Sequence, residues 1–181
     1  VNVALPTGKS DAAFPLQLVP AARLGLWDGR HANLPWIQES PDQITKAVWG
    51  SWAEIHPTTA ESLDVKTGDF VTVTSPQGSV TVPVYIYRGV HPEAVAIPLG
   101  QGHESYGQWA TGRGVNPVKL FGNGNDSKTG ELALYATRVK LTKAAHKESE
   151  KLVQFGGSET QIGRKLVATV KADVFNRTEG A

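Results

Sequence analysis

Apolar residues in this chain recur at every second position, in short runs closed off by Gly, Pro, Asn, Asp or Ser. Val71 and Val73 alternate with threonines, and Val80, Val82, Val84 and Ile86 alternate along the next run. A period of two is the signature of a strand with one buried face. It predicts strands at residues 14–19, ended by Pro20, and at 49–55, 70–74, 79–87, 94–98, 132–141, 152–155 and 165–170. Ser75-Pro76-Gln77-Gly78 fits a type I turn, which makes residues 70–74 and 79–87 a hairpin. Pro83 lacks an N–H, so it marks an edge, a bulge or a crossover point in the return strand. Helical signals are few. Thr58-Thr59-Ala60-Glu61 has capping-box spacing and predicts a short helix over residues 59–63. Asn116-Pro117 predicts a single turn ending at Phe121. Short strands at regular turn spacing with so little helix point to a mainly β fold, a closed or nearly closed barrel.

The same pattern divides the chain. Residues 1–13 read as an arm or linker, 14–172 as the barrel domain and 173–181 as a polar tail. Residues 122–130 read as a flexible surface loop and 143–151 as a solvated charged turn. Residues 27–41 are not periodic. With Trp27, Pro35, Trp36 and Pro41 they read as an ordered loop pinned by its aromatics; the sharper alternative has Arg30, His31, Asn33 and Gln38 facing a ligand.

Composition narrows the function. At 181 residues one domain is expected, large enough to bury a core without staples. The 18 basic and 17 acidic residues give a formal charge of +1, which offers no bulk attraction to nucleic acid or anionic lipid. No run reaches membrane-spanning length, and no signal-peptide pattern opens the chain. Cys is absent, which excludes a disulfide, a thiolate metal site, an iron–sulfur ligand and a cysteine nucleophile. Met is absent too, so the chain is expected to be processed or cut from something longer. The five histidines show no ligand spacing, and no Ser-His-Asp or paired-carboxylate arrangement stands out. No metal site and no catalytic residue is assigned.

Residues 98–120, PLGQGHESYGQWATGRGVNPVKL, are different in kind. Glycines at 100, 102, 107, 112 and 114 allow positive φ and close approach of a ligand to the backbone. Between them lie Gln101, His103, Glu104, Tyr106, Gln108, Arg113 and Asn116. This composition suits the wall of a site for a large, polar, anionic ligand. Gln101 and Asn116 carry amides that each offer a donor group and an acceptor to a ligand. Arg113 has a permanently charged fork that suits a phosphate, with a surface salt bridge as the plainer reading. Free amides at Gly100, Gly102 and Gly114 would add an anion nest. His103 is equally readable as a donor to the ligand or as a histidine satisfied by backbone. His56 reads as structural, and Trp36, Trp49, Trp52 and Trp109 as packing residues.

Taken in order, His56-Pro57-Thr58-Thr59-Ala60, Gly68-Asp69-Phe70-Val71, Ser75-Pro76-Gln77-Gly78-Ser79, Pro98-Leu99-Gly100-Gln101-Gly102-His103 and Gly112-Arg113-Gly114-Val115-Asn116-Pro117 resemble a known set. The chain is similar, over about residues 14–170, to the C-terminal molybdopterin-dinucleotide-binding domain of the molybdopterin oxidoreductases, the dimethyl sulfoxide reductase-like superfamily. The resemblance implies a six-stranded double-psi β-barrel with short crossover helices. It implies a domain that contacts the pterin and dinucleotide of a molybdenum or tungsten bis-molybdopterin guanine dinucleotide, with the metal ligand and any iron–sulfur cluster in other domains. Arg30 and His31 match the region where the family's first barrel loop meets the dinucleotide. Gln161 and Arg164 match a late contact. The implied partners are the remaining domains of the same enzyme, an iron–sulfur subunit and a membrane anchor, with no nucleic acid. The compartment stays open on the residues, and the resemblance suggests a periplasmic one, membrane-associated through partners. The alternative is a barrel kept as a cofactor-free scaffold in an iron–sulfur, quinol-oxidising membrane complex. Other double-psi barrels (aspartyl proteases, self-processing decarboxylases, DNA-binding regulators) fit less well: the protease triplet is missing, Gly78-Ser79 and Gly157-Ser158 are commonplace dipeptides, and no basic face is evident.

Overall fold

A computed structural model describes residues 11–122, 124–126, 128–145, 151–156, 167, 169 and 171. Its strands are β1 (Leu16–Ala21), β2 (Ala47–Val48), β3 (Ala53–Ile55), β4 (Phe70–Thr74), β5 (Ser79–Ile86), β6 (Ala94–Pro98), β7 (Arg138–Ala144) and β8 (Val153–Gln154). Two α-helices, α1 (Pro35–Glu39) and α2 (Pro57–Leu63), and 3₁₀ turns at Pro117–Leu120 and Leu134–Ala136 complete the elements. Six strands close into a barrel in the order β1-β6-β3-β5-β4-β7, with β7 returning to β1 through the pairs Leu16–Val139 and Gln17–Arg138. The neighbours are mixed: β1–β6 and β3–β5 run parallel, and the others antiparallel. This is the mainly β, closed six-stranded architecture expected of a double-psi barrel.

The period of two fills the interior. Leu18, Ala53, Ile55, Val71, Val73, Val82, Val84, Val95, Ile97 and Val139 are fully or almost fully buried in one cluster. Each such Val, Leu or Ile contributes roughly 1.5–3 kcal/mol by leaving water. Pro83 sits where β5 changes partner. Residues before it pair antiparallel with β4, and Val84 to Ile86 pair parallel with β3. The Val84 amide donates to Asp69 O at 2.7 Å, outside the β4 ladder. Of the readings open for Pro83, the crossover point is the one observed.

Several expectations need correction. The first strand does not stop at Pro20; it runs through it to Ala21, paired with β6. β7 flanks β1 only at Leu16 and Gln17, so the missing N–H at Pro20 costs no ladder bond. The strand expected over residues 49–55 is strand only over its last three residues, β3, and a separate short strand, β2, precedes it. Trp49 has φ of 60° and turns the chain between β2, which lies outside the barrel against β8, and β3, which lies in it. The strand expected from Leu132 begins only at Arg138. Before it, Gln17 draws in the carbonyls of Tyr135 and Thr137, and a 3₁₀ turn results. The strand expected at 165–170 falls largely outside the described residues.

The capping box is also displaced. α2 starts two residues earlier than the threonines suggest, with Pro57 at its first position. His56 is the N-cap: its Nδ1 accepts from the Thr58 amide at 3.2 Å and lies 2.8 Å from Thr58 Oγ1. Pro57 fixes φ for the first helical residue and so sets this register.

Glu54, on β3, is a partly buried acid. Burial raises its pKa above the usual carboxylate range, the Trp52 indole N–H bonded at 3.0 Å lowers it, and the charge of Asp42 raises it. A folded-state pKa above the unfolded one means the folded state holds the proton more tightly. Stability therefore falls as pH rises from the ordinary glutamate range through the raised value.

Two outcomes follow and are measurable by urea unfolding. His56→Ala removes the cap and lowers stability by about 1 kcal/mol, whereas Glu61→Ala, whose side chain caps nothing here, changes it by less than about 0.5 kcal/mol. Glu54→Gln raises stability at pH 7, and the gain shrinks as pH is lowered below the raised pKa; a gain independent of pH would show that folding does not raise the pKa of Glu54.

Candidate functional site

The glycine-rich stretch leaves β6 and folds back on itself. The Gly102 amide donates to Arg113 O at 2.7 Å, and the Gly112 amide to His103 O at 2.9 Å. Gly102 has φ of 83°, and a Cβ there would lie 2.1 Å from Asn116 N and 2.3 Å from Val115 C. Backbone meets backbone at this point, so only glycine fits. At Gly114, φ 59°, a Cβ would fall 2.4 Å from Ser51 Oγ, the hydroxyl that receives the Val115 amide at 3.0 Å. The folded-back loop is thereby fixed to the barrel.

Two hollows flank residues 112–115. The larger, about 510 Å³, is lined by Ser79, Thr81, Gly102, His103, Thr111, Gly112, Gly114, Asn116 and Lys119 among others. Its size is that of a ligand pocket. The smaller, about 210 Å³, holds Arg113 with Trp49, Gly50, Ser51 and Lys151. Arg113 lies over the Trp49 ring at 4.7 Å from its centroid and makes no ion pair among the described residues. His103 stacks on Tyr106 with ring centroids 4.8 Å apart. Its Nε2 is buried toward Gly29 and has no hydrogen-bond partner among the described residues.

The candidate residues are not equally placed. Gly102, His103, Gly114 and Asn116 line the larger hollow, and Arg113 the smaller. Gln101 lies behind the wall, 5% exposed. Its amide is exchanged with that of fully buried Gln38: Gln101 Nε2 donates to Gln38 Oε1 at 2.6 Å, and Gln38 Nε2 donates to Gln101 Oε1 at 3.2 Å and to Ala32 O at 2.7 Å. Gln101 keeps one N–H beyond this pair. Asn116 Oδ1 accepts from the Val118 amide at 3.0 Å and caps the 3₁₀ turn, leaving its NH₂ without a partner among the described residues. The Gly102 amide is not free for an anion nest, because Arg113 O takes it; Gly100 packs against Leu26 and Gly29.

The first loop reaches the same place indirectly. Arg30 forks onto Asp28 through Nε–Oδ1 at 2.9 Å and Nη2–Oδ2 at 2.7 Å, and this bond holds the Asp28 carboxyl well below the usual range. His31 Nδ1 is 3.1 Å from Gly25 O. Neither side chain lines the two hollows, but a Cβ on Gly29 would lie 2.8 Å from His103 Nε2, and the Tyr106 hydroxyl donates to Arg30 O at 2.9 Å. Asn33 ties the loops together by accepting the Trp109 amide at 3.0 Å. Trp27 and Trp36 do not pin their loop; they are 54% and 64% exposed, and Leu26, Ala32, Ala110 and Ile37 form the small core instead. Gln161 and Arg164 lie outside the described residues. Ser79, Thr81 and Lys119 were absent from the candidate set. The first two read as strand residues, and the curvature that aims them at the hollow has no sequence signal.

The donors suit an anionic heterocycle: hydroxyls, a half-amide and an imidazole beside glycine backbone in the larger hollow, and in the smaller a guanidinium with no ion pair among the described residues. Residues 21–134 match the family described as Molydopterin dinucleotide binding domain, which is more than half of the chain. The chain belongs to this family. A molybdopterin-type dinucleotide is the ligand class such domains bind. The chain is 33% identical over 141 residues to the arsenate respiratory reductase molybdopterin-containing subunit ArrA of Shewanella sp. (strain ANA-3), covering 74% of this chain and 16% of that protein. It is 29% identical over 132 residues to the menaquinone reductase, molybdopterin-binding-like subunit, of Nitratidesulfovibrio vulgaris, covering 73% and 19%. The structure of acetylene hydratase from Pelobacter acetylenicus shares the fold with a TM-score of 0.56, at 19% identity over 72% of this chain and 18% of that one. The chain thus spans less than a fifth of the length of these relatives.

The buried amide pair gives a direct test. Gln38→Leu or Gln101→Leu leaves a buried amide unpaired and costs about 1–3 kcal/mol, while the double variant loses less than the sum. A double-mutant cycle by urea unfolding checks the coupling, and strict additivity would show that the pair is not formed.

Proposed function

We propose that this domain contacts the pterin and dinucleotide of a molybdenum or tungsten bis-molybdopterin guanine dinucleotide, with the metal's protein ligand in a domain elsewhere on a longer chain. The observation that carries this is the larger hollow, where His103 and Asn116 stand beside glycine backbone in a chain of this family. His103 and the NH₂ of Asn116 serve the pterin side. Arg113, held on Trp49 without a carboxylate partner, serves a phosphate. Gly100, Gln101, Gly102 and Gly114 shape the wall, and the remaining N–H of Gln101 is the one it can offer. Arg30 and His31 support the loop beneath His103, and Gln161 is retained as a late contact. When bound, the cofactor supplies the redox chemistry; this chain's residues orient it and neutralise its charge. The partners are the rest of the same molybdoenzyme, an iron–sulfur subunit and a membrane anchor.

A second reading has one specific support. Gln101 and Asn116 hold structural bonds of their own, so their presence alone does not require a ligand, and one relative is named molybdopterin-binding-like. In this reading the barrel is a cofactor-free scaffold.

One experiment separates them. The full-length protein is purified and assayed for molybdenum, tungsten, pterin and guanine. Binding predicts stoichiometric pterin and guanine, with Arg113→Ala and His103→Ala each weakening retention by about tenfold or more, as loss of a charge-assisted bond implies. Unchanged thermal melting controls for folding. Absence of metal and pterin from the wild type supports the scaffold, and full retention in both variants removes these residues from the site.

A further inference from the structure

A third hollow, about 320 Å³, opens beside the closure of β7 on β1 and shares no lining residue with the two hollows at the glycine-rich stretch. Phe14, Pro76, Leu120, Ala133 and Ala136 give it apolar walls. The walls are held from behind. Gln17 Nε2 donates to the carbonyls of Tyr135 and, at 3.1 Å, Thr137, which fixes the 3₁₀ turn that carries Ala136. Ser75 Oγ accepts the Gln77 and Gly78 amides at 3.1 Å and 3.3 Å and sets the turn that carries Pro76. A preformed apolar concavity with a few convergent polar groups is the usual form of a small-molecule site.

Arg138 is the polar group that decides what the hollow takes. It opens β7, and its successor Val139 is fully buried in the barrel, so Arg138 faces away from the barrel interior and lines the hollow. Its Nε is buried and has no hydrogen-bond partner among the described residues. Its guanidinium makes no ion pair among them either. The cross-strand neighbour Gln17 is turned to carbonyls and leaves it unmet. A guanidinium edge made of Nε and one Nη takes a carboxylate through two parallel bonds. A second cation stands close by: Lys140 Nζ lies 5.8 Å from the centroid of the Phe14 ring. Asp11 is the acid on the lining, and its Oδ1 is engaged by the Ala13 amide at 2.8 Å.

We propose that this hollow binds a small organic carboxylate with an apolar body, its carboxylate on Arg138 and its body against Phe14, Leu120 and Ala136. The site is separate from the one read as the cofactor's and does not depend on it. The two kinds of lining choose the ligand class. An inorganic oxyanion would satisfy Arg138 and leave the apolar walls wet. A neutral apolar molecule would cover the walls and leave the buried Nε without an acceptor. A cation would meet Arg138 and Lys140, which outnumber Asp11 here. Gln77 and Thr137, on the same lining, offer an amide and a hydroxyl to further polar groups of the ligand.

The test titrates the full-length protein with benzoate by isothermal calorimetry at low ionic strength, with benzamide as the uncharged control. Pterin content is measured on the same sample. Saturable benzoate binding at about 1 mM or tighter is expected, within reach of a ligand of this size. Benzamide is expected to bind about tenfold or more weakly, and Arg138→Gln to weaken benzoate by about tenfold or more, as loss of a charge-assisted pair implies. Arg138→Gln is expected to melt like the wild type; a large fall would show the guanidinium spent within the protein and count against the site. Crystals of the full-length protein soaked in 4-bromobenzoate locate the ligand through the anomalous signal of bromine, expected in the hollow with the carboxylate on Arg138. No saturable binding, equal affinity for benzamide or unchanged affinity in Arg138→Gln overturns the proposal. So does a bromine peak only elsewhere, or a hollow filled by another stretch of the same polypeptide. Binding in a sample without pterin keeps this site and sinks the cofactor reading. A pterin-loaded sample that ignores benzoate does the reverse.

Discussion

At Gly102 there is no room even for a methyl group, because the backbone of Val115 and Asn116 passes where a Cβ would be. That crossing turns the glycine-rich stretch from a loose loop into a wall. The Gly102–Arg113 and Gly112–His103 backbone bonds lock it in register. Ser51 then receives Val115 from the barrel side. Both hollows, the stacked His103 and the cation over Trp49 are consequences of that one approach. A side chain at position 102 would push residues 113–116 outward and open the wall at its middle.

Beneath the wall, polar groups are used twice. Gln101, Asn116 and Arg30 belong to residue types that recognise nucleotides, and each spends part of its capacity on its own protein. This is a reasonable way to preorganise a site. An amide held by Gln38 is fixed in place, so a ligand meeting it would cost less entropy on binding. The same economy makes the presence of these residues weak evidence by itself. More telling is the guanidinium of Arg113, which makes no ion pair among the described residues.

The barrel supplies stiffness and the loops supply chemistry. Closure of β7 on β1 leaves no free edge in the barrel itself. The β5 strand changes partner at Pro83, the one residue in it that cannot donate to a ladder. Strain is placed outside this frame. Trp27 and Trp49 both sit at positive φ beside the site, and neither lies in a barrel strand. The distribution fits a rigid holder with a shaped rim, a division common where loops carry function on a fixed scaffold.

The alternating valines of residues 70–86 determined a hairpin and a buried face before any coordinates, because a side-chain period of two has one structural meaning. The glycine-rich segment and its polar residues were legible for a similar reason: no packed core uses that composition. The order of five short motifs was enough to point to the family. What the sequence could not carry was set by contacts distant along the chain. Pro57 shifted the helix cap from Thr58 to His56, and Gln17, more than a hundred residues away, shortened the strand before Arg138. The pairing of Gln101 with Gln38, the exposure of Trp27 and Trp36, and the arrival of Ser79, Thr81 and Lys119 in the hollow depend on how the barrel closes. Local sequence fixes propensity and period, whereas the direction of each side chain at the site is decided only when distant backbones meet.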